Sequence, residues 1–175
     1  MKTKRVFKPK QCNSDYGMLT TVWGPCLWHY LHTMSFNYPV NPTEDQKKYY
    51  KDFILNLAHV LPCKYCRQNL EKNFKTLPLR DSDMKNRTTF STYVYKLHEV
   101  VNKMLGKKSN LTYCDVRERY EHFRARCKTT SKVEKGCTEP LTGKKSKGII
   151  KIIPYDNPCE SLQIDKQCLA TLDNI

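Results

Sequence analysis

The chain has 175 residues, of which 39% are hydrophobic, and a formal net charge of +14, which is enough for one domain of ordinary size with extensions. Residues 1–10 carry five positive charges and no acid. We interpret this run as a solvated basic tail, because no DNA- or RNA-binding signature accompanies it. The sequence has no apolar run that would form a signal peptide and no window that would span a membrane. We therefore expect a soluble protein that its own N-terminus does not route through a secretory pathway.

The first helix is predicted from about Thr21 and is ended by Tyr38-Pro39. A second begins at Thr43, where Gln46 three residues later gives a capping-box pattern. A third helix is predicted over 63–74, a fourth over 88–105 with Gly106 as its C-cap, and a fifth over 115–126. We expect their apolar stripes to face one core, and we include in them Phe53, Val60, Leu105 and Phe123.

No strand pattern precedes residue 147, so the pattern is that of an all-α bundle. From residue 128 onward the composition is that of a linker and an extension. Gly148–Pro154 could form one short strand, which would need a partner because a lone strand is not stable. Cys159 and Cys168 follow it. They could bridge each other, bind nothing or serve as an exposed thiol pair, and we favour the first two.

The nine cysteines are many for an intracellular chain and too dispersed for a small secreted disulfide module, which suggests thiol chemistry. Cys63 and Cys66 open the third helix directly after Leu61-Pro62, and the positive end of a helix favours thiolate. Taken alone, this CxxC pair is equally typical of a redox disulfide, half of a zinc site or two buried cysteines. We expect a third cysteine, Cys26, to be a buried small hydrophobe.

Two helix faces carry further candidate residues. Trp28 and His32 are four residues apart on the first helix, as are His98 and Asn102 on the fourth, so each pair shares a face. Each pair alone is more often a partly buried polar contact than a ligand site. A zinc site would recruit both histidines with Cys63 and Cys66. An aromatic ring and an amide instead suit a flat heterocycle, because rings stack and amides bind its edges.

Together these blocks resemble, in order and interval over roughly residues 20–127, the Erv/ALR family of FAD-linked sulfhydryl oxidases. The blocks are Trp23-Gly24-x3-Trp28-x2-Leu31-His32-Thr33, Pro62-Cys63-x-x-Cys66, His98-x3-Asn102-x2-Leu105-Gly106-Lys107, and Cys114 with Arg119-Tyr120. The short core is similar to the versions encoded by large DNA viruses, which would place the protein in the host cytoplasm or the virion.

The resemblance implies a four-helix bundle plus a short fifth helix that encloses FAD and forms a homodimer. The domain would cover 20–127, between a basic tail at 1–19 and an extension at 128–175. The implied cofactor-binding residues are Gly24, Trp28, His32, His98, Asn102, Lys107, Arg119 and Tyr120. Of these, Lys107 would lie near the phosphates, and Tyr120 replaces a family tryptophan. A family tyrosine is replaced by Asn37, for which Tyr38 could substitute.

The resemblance also implies a structural disulfide from Cys114, and both Cys127 and Cys137 are candidate partners. Thirteen helical steps of ~1.5 Å would separate Cys114 and Cys127 by ~20 Å, whereas a bridge needs Cα atoms within ~7 Å. Cys127 could pair only if the fifth helix breaks early. Cys137 follows Gly136, where the chain could turn back, so we favour Cys114–Cys137.

The implied function is oxidation of dithiols in protein substrates or in a thiol–disulfide carrier protein. Electrons would pass through the Cys63–Cys66 disulfide to FAD and then to dioxygen, which becomes hydrogen peroxide. We assign the attacked sulfur to Cys63 and place Cys66 against the flavin, with no metal and no nucleic acid involved. One alternative is a basic zinc module that binds nucleic acid without enzymatic activity. The other is an inactive family member that serves as a structural dimer.

Overall fold

A computed structural model of the protein describes residues 6–126, 136–169 and 171. Its α-helices are α1 (Pro9–Cys12), α2 (Thr20–Phe36), α3 (Glu44–Val60), α4 (Lys64–Thr76), α5 (Arg87–Met104) and α6 (Tyr113–Glu121). Two-residue strands, β1 (Ala125–Arg126) and β2 (Glu139–Pro140), pair antiparallel. Short 3-10 helices cover Asp81–Met84 and Lys166–Cys168.

Four long helices form the bundle that the sequence predicts. α2 packs on α5, α3 packs on α4, and α4 also contacts α5. α6 is the short additional helix, and it contacts both α2 and α5. The core between them is made mainly of aliphatic and aromatic side chains, namely Leu31, Tyr38, Ile54, Leu57, Ala58, Leu61, Leu70, Leu79, Met84, Phe90, Tyr93, Val94 and Leu97.

The helix starts are specified locally by capping side chains. Thr43 Oγ1 accepts a hydrogen bond from the backbone N–H of Gln46 at 3.2 Å, and Gln46 Oε1 accepts one from the N–H of Thr43 at 2.9 Å. This confirms the predicted capping box. Asn86 and Thr112 cap α5 and α6 in the same way. Each such cap typically stabilises a helix by about 1 kcal/mol.

Four apolar side chains assigned to the core are exposed instead. They are Phe53, Val60, Leu105 and Phe123. In α3, the side chains of Ile54, Leu57 and Ala58 fill the buried face, so the edge of the predicted stripe stays outside. A stripe drawn from periodicity is wider than the contact that one neighbouring helix can cover.

α6 ends at Glu121, so the prediction of a helix through residue 126 is wrong. After this helix, the Arg124 guanidinium donates to both carboxylate oxygens of Glu121 and to the carbonyl of Phe36 at 3.1 Å. The chain then turns into β1, which pairs with β2. The expectation of no strand before residue 147 is therefore also wrong, although the sheet is minimal.

The predicted strand at Gly148–Pro154 is absent, and this segment, which the structure describes, has no regular secondary structure. The side chains of Ile149, Ile150 and Ile152 are exposed. β1 and β2 are two residues long and offer no edge long enough to pair with it. High β propensity alone did not produce a strand here.

The predicted N-terminal tail contains α1, and its last residues contact the entry to α4. The backbone N–H of Met18 donates to the carbonyl of Pro62 at 2.9 Å. Residues 1–5, which hold three of the five basic residues, lie outside the described part of the chain. Within the described part, no helix combines the length and the apolar character needed to cross a bilayer.

Candidate functional site

Cys63 and Cys66 form a disulfide at the start of α4, with their Cα atoms 5.2 Å apart. Cys63 is the N-cap of the helix, and its Sγ accepts a hydrogen bond from the backbone N–H of Cys66 at 3.2 Å. The first-turn N–H groups of a helix have no partners within the helix. A sulfur at this position therefore sits where developing negative charge is stabilised.

The two sulfurs have different surroundings. Cys66 is half-buried and packs against the hydrophobic core, as do Trp23 and Trp28 of α2. Between the two cysteines, Lys64 and Tyr65 are exposed, and Tyr65 is 74% accessible. The disulfide thus has one cysteine facing the bundle and lies in a turn that solvent can reach.

An aromatic cluster from three helices lies between α2, α5 and α6. The Trp28 ring stacks on the His98 ring with centroids 3.9 Å apart and planes within 5°. His32 Nε2 lies 2.9 Å from His98 Nδ1, a hydrogen bond in which either ring could be the donor. The Tyr120 ring centroid lies 5.3 Å from His32 and 5.6 Å from Phe36. The structure therefore brings together four of the predicted site residues.

Burial keeps both histidines of this cluster neutral. Desolvation, together with the smaller effects of the charges of His98 and His29, lowers the pKa of His32 to about 3. Desolvation also lowers the pKa of His98 to about 4, which the Glu99 carboxylate partly opposes. His32 Nδ1 is buried and has no hydrogen-bond partner. A buried polar atom without a partner costs free energy, so this nitrogen is free to meet a ligand.

Tyr120 covers the cluster from α6. Burial raises the pKa of its hydroxyl to about 12, and the adjacent Arg119 partly opposes the shift. The phenol is therefore neutral, and it can act as a ring surface and a hydrogen-bond donor. Arg119 itself is half-buried.

The C-terminal end of α5 forms a basic cleft of about 430 Å³. Gly106, at φ +67°, turns the chain there, and the backbone N–H of Lys107 donates to the carbonyl of Asn102 at 2.8 Å. The Asn102 amide donates to Glu99 Oε1 at 3.0 Å, and Ser109 Oγ donates to the same oxygen at 2.9 Å. The cleft is lined by Glu99, Lys103, Gly106, Lys107, Lys108, Ser109, Asn110 and Leu111.

The cleft lysines have a structural as well as a functional explanation. Lysines near the end of a helix stabilise it through the helix dipole. Three of them, Lys103, Lys107 and Lys108, around one cleft also suit a group with several negative charges. Asn102 and Lys107 both lie at this end of α5 and not among the stacked rings, which places the predicted residues in two neighbouring zones.

Two of the candidate residues, Gly24 and Tyr38, have other surroundings. Gly24 is half-buried in α2, and no atom lies within 4 Å of where its Cβ would be. Tyr38 was a candidate substitute for the family tyrosine. Instead it is fully buried in the core, where its hydroxyl donates to the Met84 carbonyl at 2.9 Å and its ring contacts Tyr50 and Phe90.

Sequence reasoning missed three side chains of the site. Phe36 stacks on Tyr120, and His29 lies 5.5 Å from the same ring. Glu99 holds Asn102 in place. The helical spacing of Trp28, His32 and Phe36, four residues apart each time, could have revealed Phe36. His29 and Glu99 carried no comparable signal.

The predicted Cys114–Cys137 disulfide is not present. Cys114 is an exposed free thiol in the first turn of α6, whereas Cys137 is disulfide-bonded. The alternative partner of Cys114, Cys127, lies outside the described residues. α6 ends early, and β2 then pairs with β1, which follows the end of α6. Cys137, two residues before β2, is therefore held near that end of the helix and not at its start, where Cys114 lies.

Cys26, Cys159 and Cys168 are also free thiols. Cys26 is exposed, so its assignment as a buried residue is wrong. It lies on the outer side of α2, from which its thiol donates to the Val22 carbonyl at 3.6 Å. Among the residues that the structure describes, no group of three or more His, Cys, Asp and Glu side chains could hold a metal ion. Nothing in this part of the chain supports the zinc alternative.

A profile of the Erv1/Alr family matches residues 25–135 of this chain. The chain belongs to the Erv1/Alr family. A probable FAD-linked sulfhydryl oxidase of Acanthamoeba polyphaga mimivirus is 36% identical over 99 residues, which are 57% of this chain and 68% of that protein. An FAD-linked sulfhydryl oxidase of African swine fever virus is 31% identical over 86 residues, which are 49% of this chain and 70% of that protein.

A relative from a cellular organism matches over a smaller share of its length. FAD-linked sulfhydryl oxidase ERV1 of Arabidopsis thaliana is 31% identical over 84 residues, and the match covers 42% of its length. The chain therefore spans less than half of this relative.

Solved structures of Erv1/Alr proteins share the fold. The yeast Erv1 core aligns with a TM-score of 0.54 at 24% identity, over 69% of this chain and 92% of that one. The FAD-binding domain of Erv1 from Saccharomyces cerevisiae aligns with a TM-score of 0.54 at 26% identity, over 59% of this chain and 94% of that one.

The residues present fit an FAD group. The stacked Trp28 and His98 rings offer a flat apolar surface, and the unpartnered His32 Nδ1 offers a polar contact beside it. The basic cleft at the end of α5 offers positive charge for a diphosphate, with Lys107 among its lining residues. An aromatic zone next to a basic zone matches the two chemical halves of a dinucleotide.

Proposed function

We propose that this chain is an FAD-dependent sulfhydryl oxidase that forms disulfides in protein dithiols. The observation that carries the proposal is the Cys63–Cys66 disulfide at the start of α4, whose Cys66 packs on the same core as Trp28. Trp28 in turn stacks within the neutral histidine cluster. A redox disulfide and an aromatic pocket that share one core are the two elements that thiol oxidation through a flavin requires.

The first half of the reaction uses only cysteine chemistry. A substrate thiolate attacks Cys63 Sγ, the Cys63–Cys66 bond breaks, and a mixed disulfide forms between the substrate and Cys63. Cys66 leaves with the electron pair as a thiolate. The second substrate thiolate then attacks the substrate sulfur of the mixed disulfide, which releases an oxidised substrate and the Cys63 thiolate. The first-turn N–H groups of α4, including that of Cys66, stabilise the released charge.

The remaining site residues bind and orient the cofactor. When bound, FAD would accept the electron pair of the dithiol and pass it to dioxygen, which becomes hydrogen peroxide. Trp28, His32, His98 and Tyr120 would hold its ring systems, and Asn102 and Lys107 would hold its ribose and phosphate groups. The neutral state of both histidines means that they donate and accept hydrogen bonds without bringing positive charge into the pocket.

We also propose that two copies of the chain form a dimer. α3 has a second apolar stripe that faces away from the core, formed by Tyr49, Phe53 and Val60, all exposed. Tyr30 of α2 lies beside it, with its ring in edge contact with Phe53 at 6.0 Å. An exposed apolar patch of this kind on a helical surface suits burial against a second copy.

The viral relatives support a narrower assignment. We propose that the chain is encoded by a large DNA virus and acts on protein dithiols in the host cytoplasm or the virion. Supporting this are the sequence matches to oxidases of mimivirus and African swine fever virus. We also propose that the oxidase domain covers residues 20–127, between a basic tail at 1–19 and an extension at 128–175.

The absorption spectrum of the purified full-length protein tests the function. Flavin bands in stoichiometric amount, together with oxygen consumption and peroxide formation on addition of dithiothreitol, are expected. A folded protein that is colourless and does not take up added FAD would refute the proposal, and stoichiometric zinc would then support the zinc module. A yellow protein without oxygen consumption would identify an inactive structural member.

A further inference from the structure

The backbone before Cys63 is contacted by residues from the N-terminal segment, far from α4 in sequence. The backbone N–H of Met18 donates to the Pro62 carbonyl at 2.9 Å. The indole Nε1 of Trp23 donates to the Met18 carbonyl at 3.1 Å, which anchors this segment to α2. We call residues Gly17 and Met18 the N-terminal clamp.

Two independent features restrict the clamp to glycine at position 17. Its φ is +92°, in the region that residues with a side chain rarely adopt. A Cβ at this position would lie 2.8 Å from the Pro62 carbonyl oxygen and 3.5 Å from the Cα of Cys63. The clamp therefore approaches the redox turn so closely that any side chain would push it away.

The turn that carries the disulfide is held through the carbonyl groups of two successive residues, Leu61 and Pro62. On the α4 side, the Arg67 guanidinium donates to the carbonyl of Leu61, and the backbone N–H of Cys63 donates to the same carbonyl at 2.8 Å. On the other side, the clamp holds the carbonyl of Pro62. Cys63 follows immediately, so its position relative to Cys66 depends on this fixed peptide.

We propose that Gly17, with Met18 and Trp23, is a positioning element for the Cys63–Cys66 disulfide. The clamp limits the motion of Cys63 and keeps its sulfur near Cys66 when both are reduced, which raises the effective concentration of one thiol at the other. The clamp thus stabilises the disulfide against reduction and keeps Cys63 in place for attack. This inference deepens the proposed function, since it concerns the disulfide that the function uses.

Equilibration of the full-length protein with glutathione tests the proposal. In this reaction two glutathione thiols reduce the Cys63–Cys66 disulfide, and one glutathione disulfide forms as two protein thiols appear. Alkylation followed by mass analysis of the peptide that contains both cysteines gives the reduced fraction without reference to other thiols. Gly17→Val displaces the clamp, Trp23→Phe removes its anchoring N–H, and Gly148→Ala is the matched control, because its added Cβ meets no atom within 4 Å.

In Gly17→Val we expect the equilibrium constant to shift about threefold to tenfold toward the dithiol, since an unclamped Cys63 closes the disulfide less readily. Trp23→Phe should shift in the same direction by less, and Gly148→Ala should match the unmodified chain. The tryptophan fluorescence of Gly17→Val, to which Trp23 and Trp28 both contribute, should also change, because the Trp23 indole loses the Met18 acceptor. Circular dichroism should remain unchanged, because the clamp precedes the helices that form the core.

An equilibrium constant in folded Gly17→Val that equals the unmodified value, or that shifts toward the disulfide, would overturn the inference. A shift in Gly148→Ala equal to that in Gly17→Val would overturn it as well. The glutathione equilibrium requires neither a flavin nor oxygen turnover. A colourless protein would therefore refute the proposed function while leaving this test of the clamp fully decisive.

Discussion

At the scale of single residues, the two sulfurs of one disulfide differ in what surrounds them. Cys63 caps α4, and its Sγ accepts a hydrogen bond from the backbone N–H of Cys66, whereas Cys66 packs against the core, as Trp28 does. Lys64 and Tyr65, between the two cysteines, are exposed, so a substrate can reach this turn. On this basis we propose that substrate attacks Cys63 and that Cys66 delivers the electrons.

Replacing Cys66 with serine should separate cofactor binding from thiol oxidation. Cys66→Ser removes the electron-delivering sulfur but no side chain of the aromatic cluster, so the flavin absorbance should remain. Dithiol-driven oxygen consumption should fall at least about 100-fold, as expected when a group that acts in the reaction itself is lost. Cys114→Ser, which removes an exposed free thiol, is the control and should keep full turnover. Turnover retained in Cys66→Ser would contradict the assignment.

Acid should destabilise the protein through its buried histidines. Burial lowers the folded-state pKa of His32 to about 3, whereas the unfolded chain binds this proton near pH 6.5. The stabilisation is therefore complete above about pH 6.5 and is lost as the pH falls toward the folded pKa. Between pH 7 and pH 5 this group should account for a loss of about 2 kcal/mol in the free energy of unfolding.

Urea unfolding at pH 7 and pH 5 measures this effect. His32→Gln should be less stable than the unmodified chain at pH 7 but should lose about 2 kcal/mol less on acidification. The exposed His59 provides the control, since His59→Gln should keep the full pH dependence. Equal losses in His32→Gln and the unmodified chain would show that His32 is not the group responsible.

At the scale of elements, the caps decide where the helices that carry the site begin. α6 starts at Thr112, whose side chain accepts the N–H of Asp115 at 3.2 Å and donates to its carboxylate at 2.7 Å. This short helix presents Tyr120 to His32. Because a helix of nine residues is marginal alone, its cap and its tertiary contacts together hold Tyr120 over the cluster.

Thr112→Ala should therefore loosen α6 specifically. We expect a loss of about 1 kcal/mol of local stability, seen as faster amide hydrogen exchange in α6 while α3 is unchanged. Thr43→Ala removes the equivalent cap of α3 and should show the reverse pattern. Exchange that accelerates equally in both helices for either variant would mean that they open only together, and the local role of the cap would be refuted.

At the scale of the whole molecule, the proposed dimer would cover the apolar stripe of α3 and the neighbouring ring of Tyr30. A stable interface of ordinary size buries about 800 Å² per partner, so we expect residues around the stripe to contribute as well. The stripe includes Phe53 and Val60, which periodicity assigned to the core. The apolar residues of α3 therefore form two faces, one toward the core and one toward solvent.

Phe53→Glu should dissociate this dimer. A carboxylate in the centre of the stripe would have to be desolvated on association, which strongly disfavours burial. Light scattering after size exclusion should give the mass of one chain for Phe53→Glu and of two chains for the unmodified protein. Gln68→Glu, which introduces the same charge on the exposed side of α4, should remain dimeric. A monomeric unmodified chain at micromolar concentration would refute the proposal.

Sequence patterns predicted the helices closely where the signal was local. The Thr43 capping box, the start of α4 at Cys63 and the turn at Gly106 all depend on residues within one helical turn, and all are present in the structure. The predictions failed where the outcome depended on distant partners. α6 ends early, and Arg124 after it binds Glu121 and the Phe36 carbonyl. The isoleucines of 148–154 form no strand, because β1 and β2 are too short to pair with them.

By itself the sequence indicated the all-α class, because helical periodicity and capping residues are local properties. It indicated the family, and with it the redox role of the CxxC pair, because four motifs follow one another at the family's order and intervals. Only the tertiary structure decided that Trp28 stacks on His98, that Cys114 stays free, and that Gly17 lies against Pro62. These contacts join residues far apart in the chain. They depend on how the helix surfaces pack and on which partners the buried polar groups meet. The spacing of residues along a single helix predicts neither.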